Sequence, residues 1–334
     1  AAMEALRHPR CGSSPIALRY VEALPEGAAR DEMSRRINFL DAADHSRVRG
    51  LVGKAFTPRR IGELRPWMEA TAERLLDELD GHAEVDLLQR FAHQLPSLVI
   101  SELLGVPTAD RDRLTAWSDA VAPLLGVRVD PEDKARAIDA AEEFHAYLRG
   151  LIDARRGVSG DDLLSALAQA EDDGERLSHA ELLSLTATLY SAGHRTTRDL
   201  FGNGMAALLG QPDLYARVAS GETPVGHAIE EFLRFATPTL FVARVPLEPI
   251  EIDGVAIGAW EPLLIFLSAA NRDPAVYDAP DEFRPGRGGP APLSFAFGAH
   301  YCLGASLARS EAEVMLSAVT RRWPEARLAP DHTL

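Results

Sequence analysis

Cys302 lies in the stretch Leu293-Ser-Phe295-Ala-Phe297-Gly298-Ala-His300-Tyr-Cys302-Leu-Gly304, with a glycine on either side and a helical pattern directly behind it. Ala308, Ala312, Met315 and Val319 recur at helical spacing, so a helix is predicted from near Leu303 with that stripe buried. The thiol therefore falls at a helix N-terminus, where free N–H groups and the macrodipole favour an anionic sulfur. Gly298 and Gly304 allow a tight backbone and the close approach of a flat ligand. Phe295 is placed to shield the sulfur from water. A thiolate so held can serve as the axial ligand of haem iron. The plainer alternative is a buried structural cysteine, because free cysteine is among the most buried residue types.

Three further groupings can do chemistry. His45 and Arg49 are four apart on a predicted helix, so both project from one face and can grip a carboxylate. Otherwise they form a solvated basic face, since surface charges contribute little. Glu231 and Arg234, three apart, can pair on another helix. Ala192-Gly193-His194-Arg195-Thr196-Thr197 stands in the middle of a long apolar helix, where glycine and threonine are locally costly. Threonine hydroxyls can bond back to the preceding turn and bend the helix. A structural kink explains the stretch as well as a site does.

The whole Phe-x-x-Gly-x-x-x-Cys-x-Gly pattern, with its residues at set offsets, resembles the haem-binding loop of the cytochromes P450. Ala192–Thr197 resembles that family's long-helix motif Ala-Gly-x-(Asp/Glu)-Thr-Thr. Glu231/Arg234 resembles its buried Glu-x-x-Arg pair, and His45/Arg49 its contacts to a haem propionate. All four occur in the family's order. The resemblance implies a mainly α fold with small β-sheets, haem b (iron protoporphyrin IX) lying between the long helix and the cysteine loop, and Cys302 bound to the iron. Arg244 and His300 join His45 and Arg49 as implied propionate partners, with Phe295 and Gly304 beside the cofactor. Glu231 and Arg234 take a structural role.

The implied activity is that of a monooxygenase using dioxygen to hydroxylate or otherwise oxidise a small molecule, with Thr196 as the proton-relay hydroxyl. Thr188, Ala192, Leu240 and Phe241 would line the pocket. They are small or apolar, which points to a lipophilic or aromatic substrate, of secondary metabolism by family habit. Electrons would come from a ferredoxin-type donor docking on Lys54, Arg59, Arg60 and Arg309. One position departs from the pattern: Arg195 stands where the family has an acid, and arginine stays charged and cannot shuttle protons. Water and Thr196 can relay protons without it, which the retained Thr196 favours. Arg195 can instead bind an acidic substrate group, as in a peroxide-driven peroxygenase, or sit in a solvent-facing ion pair. A non-catalytic haem-thiolate ligand binder is the remaining alternative.

The elements that must position these groups are legible at their ends. Ser178-His-Ala-Glu181 is a capping box opening the longest helix, which Gly210-Gln-Pro212 stops after Leu209. Thr57-Pro58 caps and starts a helix that Pro66 is expected to interrupt or kink. Pro9 to Pro15 reads as turn chemistry, 155–160 as a loop, and Glu251–Ile257 as a hairpin turning at Asp253-Gly254. Leu263 to Leu267 adds a strand. The chain has 334 residues, 46% hydrophobic, with no glycine-, serine- or proline-rich linker, and is read as one P450 domain over 1–334. Beside the family it lacks the usual N-terminal helix and strands. Arg327–Leu334 opens a sheet segment without a partner, so the last strands are expected to be missing too. With 35 basic against 50 acidic residues the charge of −15 argues against nucleic-acid binding. Two cysteines exclude a four-thiolate zinc site or a disulfide framework. No apolar run approaches the roughly 18 residues of a membrane span, and no secretory leader is visible. A soluble, cytoplasmic monomer is the expectation.

Overall fold

The computed structural model describes residues 1–126, 129–155, 157, 160–172 and 174–330. Its helices begin with α1 (Ala2–Arg7), α2 (Ser14–Glu22), α3 (Ala28–Arg35), α4 (Ala42–Ala55) and α5 (Pro58–Asp77). Next come α6 (Gln94–Leu103), α7 (Arg111–Val121), α8 (Pro131–Asp153) and α9 (Leu163–Gln169). The long α10 (His179–Leu209) is followed by α11 (Pro212–Ala219), α12 (Val225–Phe235), α13 (Leu267–Ala270) and α14 (Ala305–Arg322). The strands are short. β1 (Cys11–Gly12), β4 (Phe241–Pro246) and β7 (Leu263–Phe266) form one antiparallel sheet in the order β1-β4-β7. β2 (Glu171–Asp172) pairs with β3 (Glu175–Arg176), and β5 (Ile250–Ile252) with β6 (Val255–Ile257). The architecture is mainly helical with small sheets.

Helix α10 organises the core. Ser178 Oγ accepts from Glu181 N at 3.2 Å while Glu181 Oε2 accepts from Ser178 N at 2.8 Å, so the capping box forms in full. Its 31 residues span about 46 Å and bury Leu182, Leu185, Tyr190, Leu200, Phe201 and Leu208 among the surrounding helices. Two glycines let neighbours approach. A Cβ on Gly204 would lie 2.1 Å from Phe232 of α12, and one on Gly193 would press Ile100 of α6 at 3.2 Å. Helix α14 packs between α5 and α10 and buries Ala312, Met315 and Val319. It starts at Ala305, two residues later than expected, and Ala308 of the expected stripe is only half-buried.

Two local expectations meet a different outcome in part. Pro66 does not end its helix: α5 continues through it to Asp77. Pro66 and Gly62, whose carbonyl loses its bond to a proline nitrogen, both face water, while Ile61, Met68, Ala72, Leu75 and Leu76 stay packed in the core. Hydration of that carbonyl and the packed face offset the missing bond. The Pro9–Pro15 segment is not all turn. Cys11 and Gly12 pair with Pro246 and Val245, and Ser14 opens α2. A side chain at Gly12 would meet Asp41 Oδ2 at 2.7 Å, so glycine is what lets this strand close on the α4 cap. The Asp253-Gly254 turn has φ of +51° and +77°, the double positive φ that a two-residue hairpin loop demands. The expected loop at 155–160 and sheet segment at 327–334 fall partly outside the described residues, and 327–330 carry no strand.

The cysteine loop is positioned by a buried polar frame. Arg234 forks onto Glu231 at 2.7 and 2.9 Å, both side chains being 2% exposed. Arg287 adds bonds to Glu231 at 3.1 Å and Arg284 N donates to it at 2.7 Å. Arg234 also donates to the carbonyls of Asn271, Pro280 and Glu282 at 2.7–3.0 Å. Asn271, fully buried, donates to Ser294 Oγ at 2.8 Å and accepts from Leu293 N at 2.7 Å. Ser294 in turn donates to Leu233 O at 2.5 Å. Removing one member leaves the others buried and unanswered. Arg234→Leu is therefore expected to lower folding stability by about 3–5 kcal/mol. Denaturant unfolding checks this, and a loss under about 1 kcal/mol contradicts the frame.

Candidate active site

The cysteine loop leaves Ser294 through a tight 3₁₀ turn, Leu293–Phe295. Ala296 and Gly298 then take φ of +58° and +82°, reversing the chain. Cys302 N closes the loop by donating to Phe295 O at 3.0 Å. Phe295 packs half-buried against the core, and the Arg309 guanidinium lies 4.7 Å over its ring. Gly304 caps α14. The Cys302 residue keeps accessible surface, yet its sulfur is crowded by protein. Burial pushes the thiol up, while the Gly304 N–H and the charges of Arg49 and Arg309 pull the other way. The anion-favouring groups expected at this helix start are present, but in the protein alone burial outweighs them. A coordinating metal removes the thiol proton outright.

Beside the loop, four nitrogen-bearing side chains from three segments converge. His45, buried on α4, and His300 lie with ring centroids 4.0 Å apart. Arg49, one turn after His45, donates to Tyr301 O at 2.7 Å. Arg244, on β4, is 7% exposed, and the bond it makes is to Ala243 O at 2.8 Å. Burial, then His45 and Arg244, push His300 down to about 4. Burial and Arg49 lower His45, and burial lowers Arg244. Asp41 is the carboxylate that offsets them, but its oxygens already accept from Ser13 N and Ser14 N at 2.7–3.0 Å. A surplus of buried and half-buried donors beside an accessible thiol is the donor set that a flat metal-bearing group with carboxylate arms requires. The residues present fit haem. Cys302 would hold its iron, and His45, Arg49, Arg244 and His300 its propionates.

On α10 the helix runs unbroken through 192–197. Ala192 and Thr196, one turn apart, are exposed in the middle of this otherwise interior helix, and Thr196 Oγ1 donates to Ala192 O at 2.9 Å. Arg195 is half-exposed, its Nε 4.0 Å from Asp119 Oδ1. His194 and His93 reach the same carboxylate at 3.2 and 3.6 Å. Burial would raise Asp119, but His194 and its neighbours outweigh this and hold it below its usual range. Of the readings open for Arg195, the ion pair is the one present.

The pocket residues are not all alike. Leu240 is exposed and Phe241 is half-buried, its ring 5.4 Å from Phe266. Thr188 is buried rather than lining open space, and its hydroxyl donates to Glu32 Oε1 at 3.4 Å. Glu32 is paired with Arg36 at 2.5 Å, and Arg36 donates to Ser191 Oγ at 3.4 Å. Sequence patterns missed this polar network, as they missed Asn271 and Asp41; single acids and amides carry no periodicity. The proposed basic patch is largely engaged: Arg309 with Glu230 at 2.5 Å, Arg59 with Glu63 at 2.9 Å, and Arg60 with Asp161 O at 2.5 Å.

Fold and donor set together define a haem-thiolate protein. A family model described as Cytochrome P450 matches residues 225–324, which hold Glu231, Arg234 and the cysteine loop. The chain is 41% identical over 294 residues to the cytochrome P450 monooxygenase PikC of Streptomyces venezuelae, covering 86% of this chain and 68% of that protein. It is 38% identical over 303 residues to 6-deoxyerythronolide B hydroxylase of Saccharopolyspora erythraea, covering 90% and 74%. The structure of the Bacillus subtilis bacillaene polyketide synthase P450 PksS superposes with a TM-score of 0.89 at 34% identity, over 98% of this chain and 82% of that one. The chain belongs to the cytochrome P450 family and is an oxidoreductase of the P450 monooxygenase class. Among the described residues no helix is long and apolar enough to cross a membrane.

The imidazole pair makes the haem-free chain pH-sensitive. His300 falls from an ordinary 6.5 to about 4 on folding, so protons bind the unfolded chain more readily. Stability is fully present above about pH 6.5 and is expected to drain away as pH falls toward 4. His300→Gln should flatten that slope in denaturant titrations of the haem-free protein, and an unchanged slope contradicts the assignment.

Proposed function

We propose that this P450 activates dioxygen to hydroxylate a lipophilic or aromatic small molecule of secondary metabolism, with haem b as cofactor and a ferredoxin-type protein as electron donor. It would work as a cytoplasmic monomer. One observation carries the reading: an accessible Cys302 beside the four-donor cluster, in a chain whose central helix exposes Ala192 and Thr196 at mid-length. The names of the relatives support the substrate class, since 6-deoxyerythronolide B hydroxylase and the polyketide-synthase P450 PksS are both named for such chemistry.

Haem, when bound, supplies the redox chemistry by which one atom of dioxygen enters the substrate and the other leaves as water, at the cost of two electrons and two protons. The residues supply the setting. Cys302 gives the iron an electron-rich thiolate, held by the Cys302 N to Phe295 O bond and facing the Gly304 N–H. His45, Arg49, Arg244 and His300 orient the cofactor through its carboxylates. Phe295, with the Arg309 guanidinium over its ring, would shield one side of the sulfur. Thr196 presents a hydroxyl that can leave its bond to Ala192 O and hold a proton at Oγ1 on the exposed helix face. Leu240 and Phe241 offer apolar surface four and three residues before Arg244, at the start of the same segment.

The peroxygenase alternative requires Arg195 to bind a substrate carboxylate, and Asp119 already faces that guanidinium. A non-catalytic binder would have no use for Thr196. Turnover under ¹⁸O₂ with a ferredoxin donor tests the proposal. One labelled oxygen per product is expected, and Thr196→Ala should divert most electrons to hydrogen peroxide. Product made only with added peroxide, or no product with any donor, contradicts it.

A further inference from the structure

Two consecutive glutamates on α12 take different partners. Glu231 belongs to the buried frame, where two arginines and a backbone N–H answer it. Glu230 grips Arg309 of α14 with both its oxygens: Nε donates to Oε1 at 2.5 Å and Nη2 to Oε2 at 3.3 Å.

Arg309 stands seven residues beyond Cys302 and touches the cysteine loop at two points. Its guanidinium lies 4.7 Å over the Phe295 ring, and Phe295 O accepts the bond from Cys302 N that closes the loop. Its Nη1 lies 3.5 Å from the hydroxyl of Tyr301, the residue before the thiol. Phe295 and Tyr301 meet edge to face, their centroids 6.3 Å apart. The Arg309 charge is thus fixed against the residues that hold the sulfur, and it is one of two cations that favour the thiolate. The other, Arg49, bonds Tyr301 O and faces no carboxylate of its own among the described residues. Only at Arg309 does the protein itself set how much of the charge the sulfur feels.

A brace does not explain the pair. Its side chains are 27% and 45% exposed, and such an ion pair contributes little to stability. The field of a partly buried charge on a sulfur crowded by protein is screened far less.

Resting on the Cys302–haem bond of the function proposed above, we infer that Glu230 is a positioning residue that sets the haem reduction potential through Arg309. A cation beside the sulfur draws electron density from the thiolate and favours the ferrous state, which carries one more electron. Glu230 holds that cation over Phe295 and offsets its charge, which keeps the sulfur electron-rich and the potential low.

Midpoint potentials of the haem-loaded protein test this. Glu230→Gln keeps the shape and loses the charge, so the reduction equilibrium constant should rise roughly tenfold, about 59 mV for one electron. Arg309→Gln should lower the potential, and the double variant should lie between the two, near the unaltered value. The C–O stretch of the ferrous carbonyl should move up in Glu230→Gln and down in Arg309→Gln, because a poorer thiolate donor leaves less density for back-bonding. A purely structural pair would leave both readings unmoved, or shift both single variants the same way; either result overturns the assignment. Should Arg309→Gln fail to load haem, Glu230→Asp decides, since it keeps the charge. Its potential should sit below that of Glu230→Gln, and an equal shift in both overturns the assignment. An imidazole-type carbonyl band in the unaltered chain sinks the Cys302–haem reading itself, whereas unmoved potentials under an intact thiolate band sink only the role of Glu230.

Discussion

The ion pair between Glu231 and Arg234 is the constraint from which the active-site geometry descends. In a poorly polarisable interior each charge is tolerable only because the other is present and every remaining lone pair or proton has a partner. Here that condition is met, because Arg234 spends its spare donors on the carbonyls of Asn271, Pro280 and Glu282. Those carbonyls fix the irregular chain before the cysteine loop. Asn271, locked among them, clamps Leu293 and Ser294. The loop that presents Cys302 thus takes its place from a pair on α12, and needs little regular structure of its own.

Around the sulfur, burial and charge pull in opposite directions. Crowding by protein disfavours the thiolate, and the Gly304 N–H with Arg49 and Arg309 favours it. A similar imbalance holds at the donor cluster, where nitrogen donors exceed the carboxylates that face them. Both would become favourable together were iron to face the sulfur and propionates the donors, as proposed. On that reading α4, β4 and the cysteine loop hold the electrostatic complement of the cofactor in advance of binding.

Much of this could be read from residue order, and the reasons differ by feature. The capping box at Ser178, the end of α10 at Leu209 and the Asp253-Gly254 hairpin are local effects, set by residues within a few positions of one another, and they were legible. The grouping of His45, Arg49, Arg244 and His300 is not local. It was accessible only through a resemblance, since no spacing rule links α4 to β4. That α5 runs on past Pro66 was not legible, because a propensity argument ignores the packed face that keeps the helix going. Gly193 was read as part of a kink or a site, and what its missing side chain does, admitting Ile100 of α6, was not legible. Asn271, Asp41 and the Glu32–Arg36 pair stayed invisible, because what distinguishes them is the company they keep after folding.

The account stands on a bond between Cys302 and haem iron. The direct measurement is the ferrous carbonyl absorption spectrum of the purified, haem-reconstituted chain, recorded beside that of Cys302→His. The unaltered protein should give the red-shifted Soret band of a thiolate ligand, and the histidine variant should lose it for the shorter-wavelength band of imidazole ligation. An imidazole-type band in the unaltered protein, or a thiolate band that survives the substitution, would contradict the account.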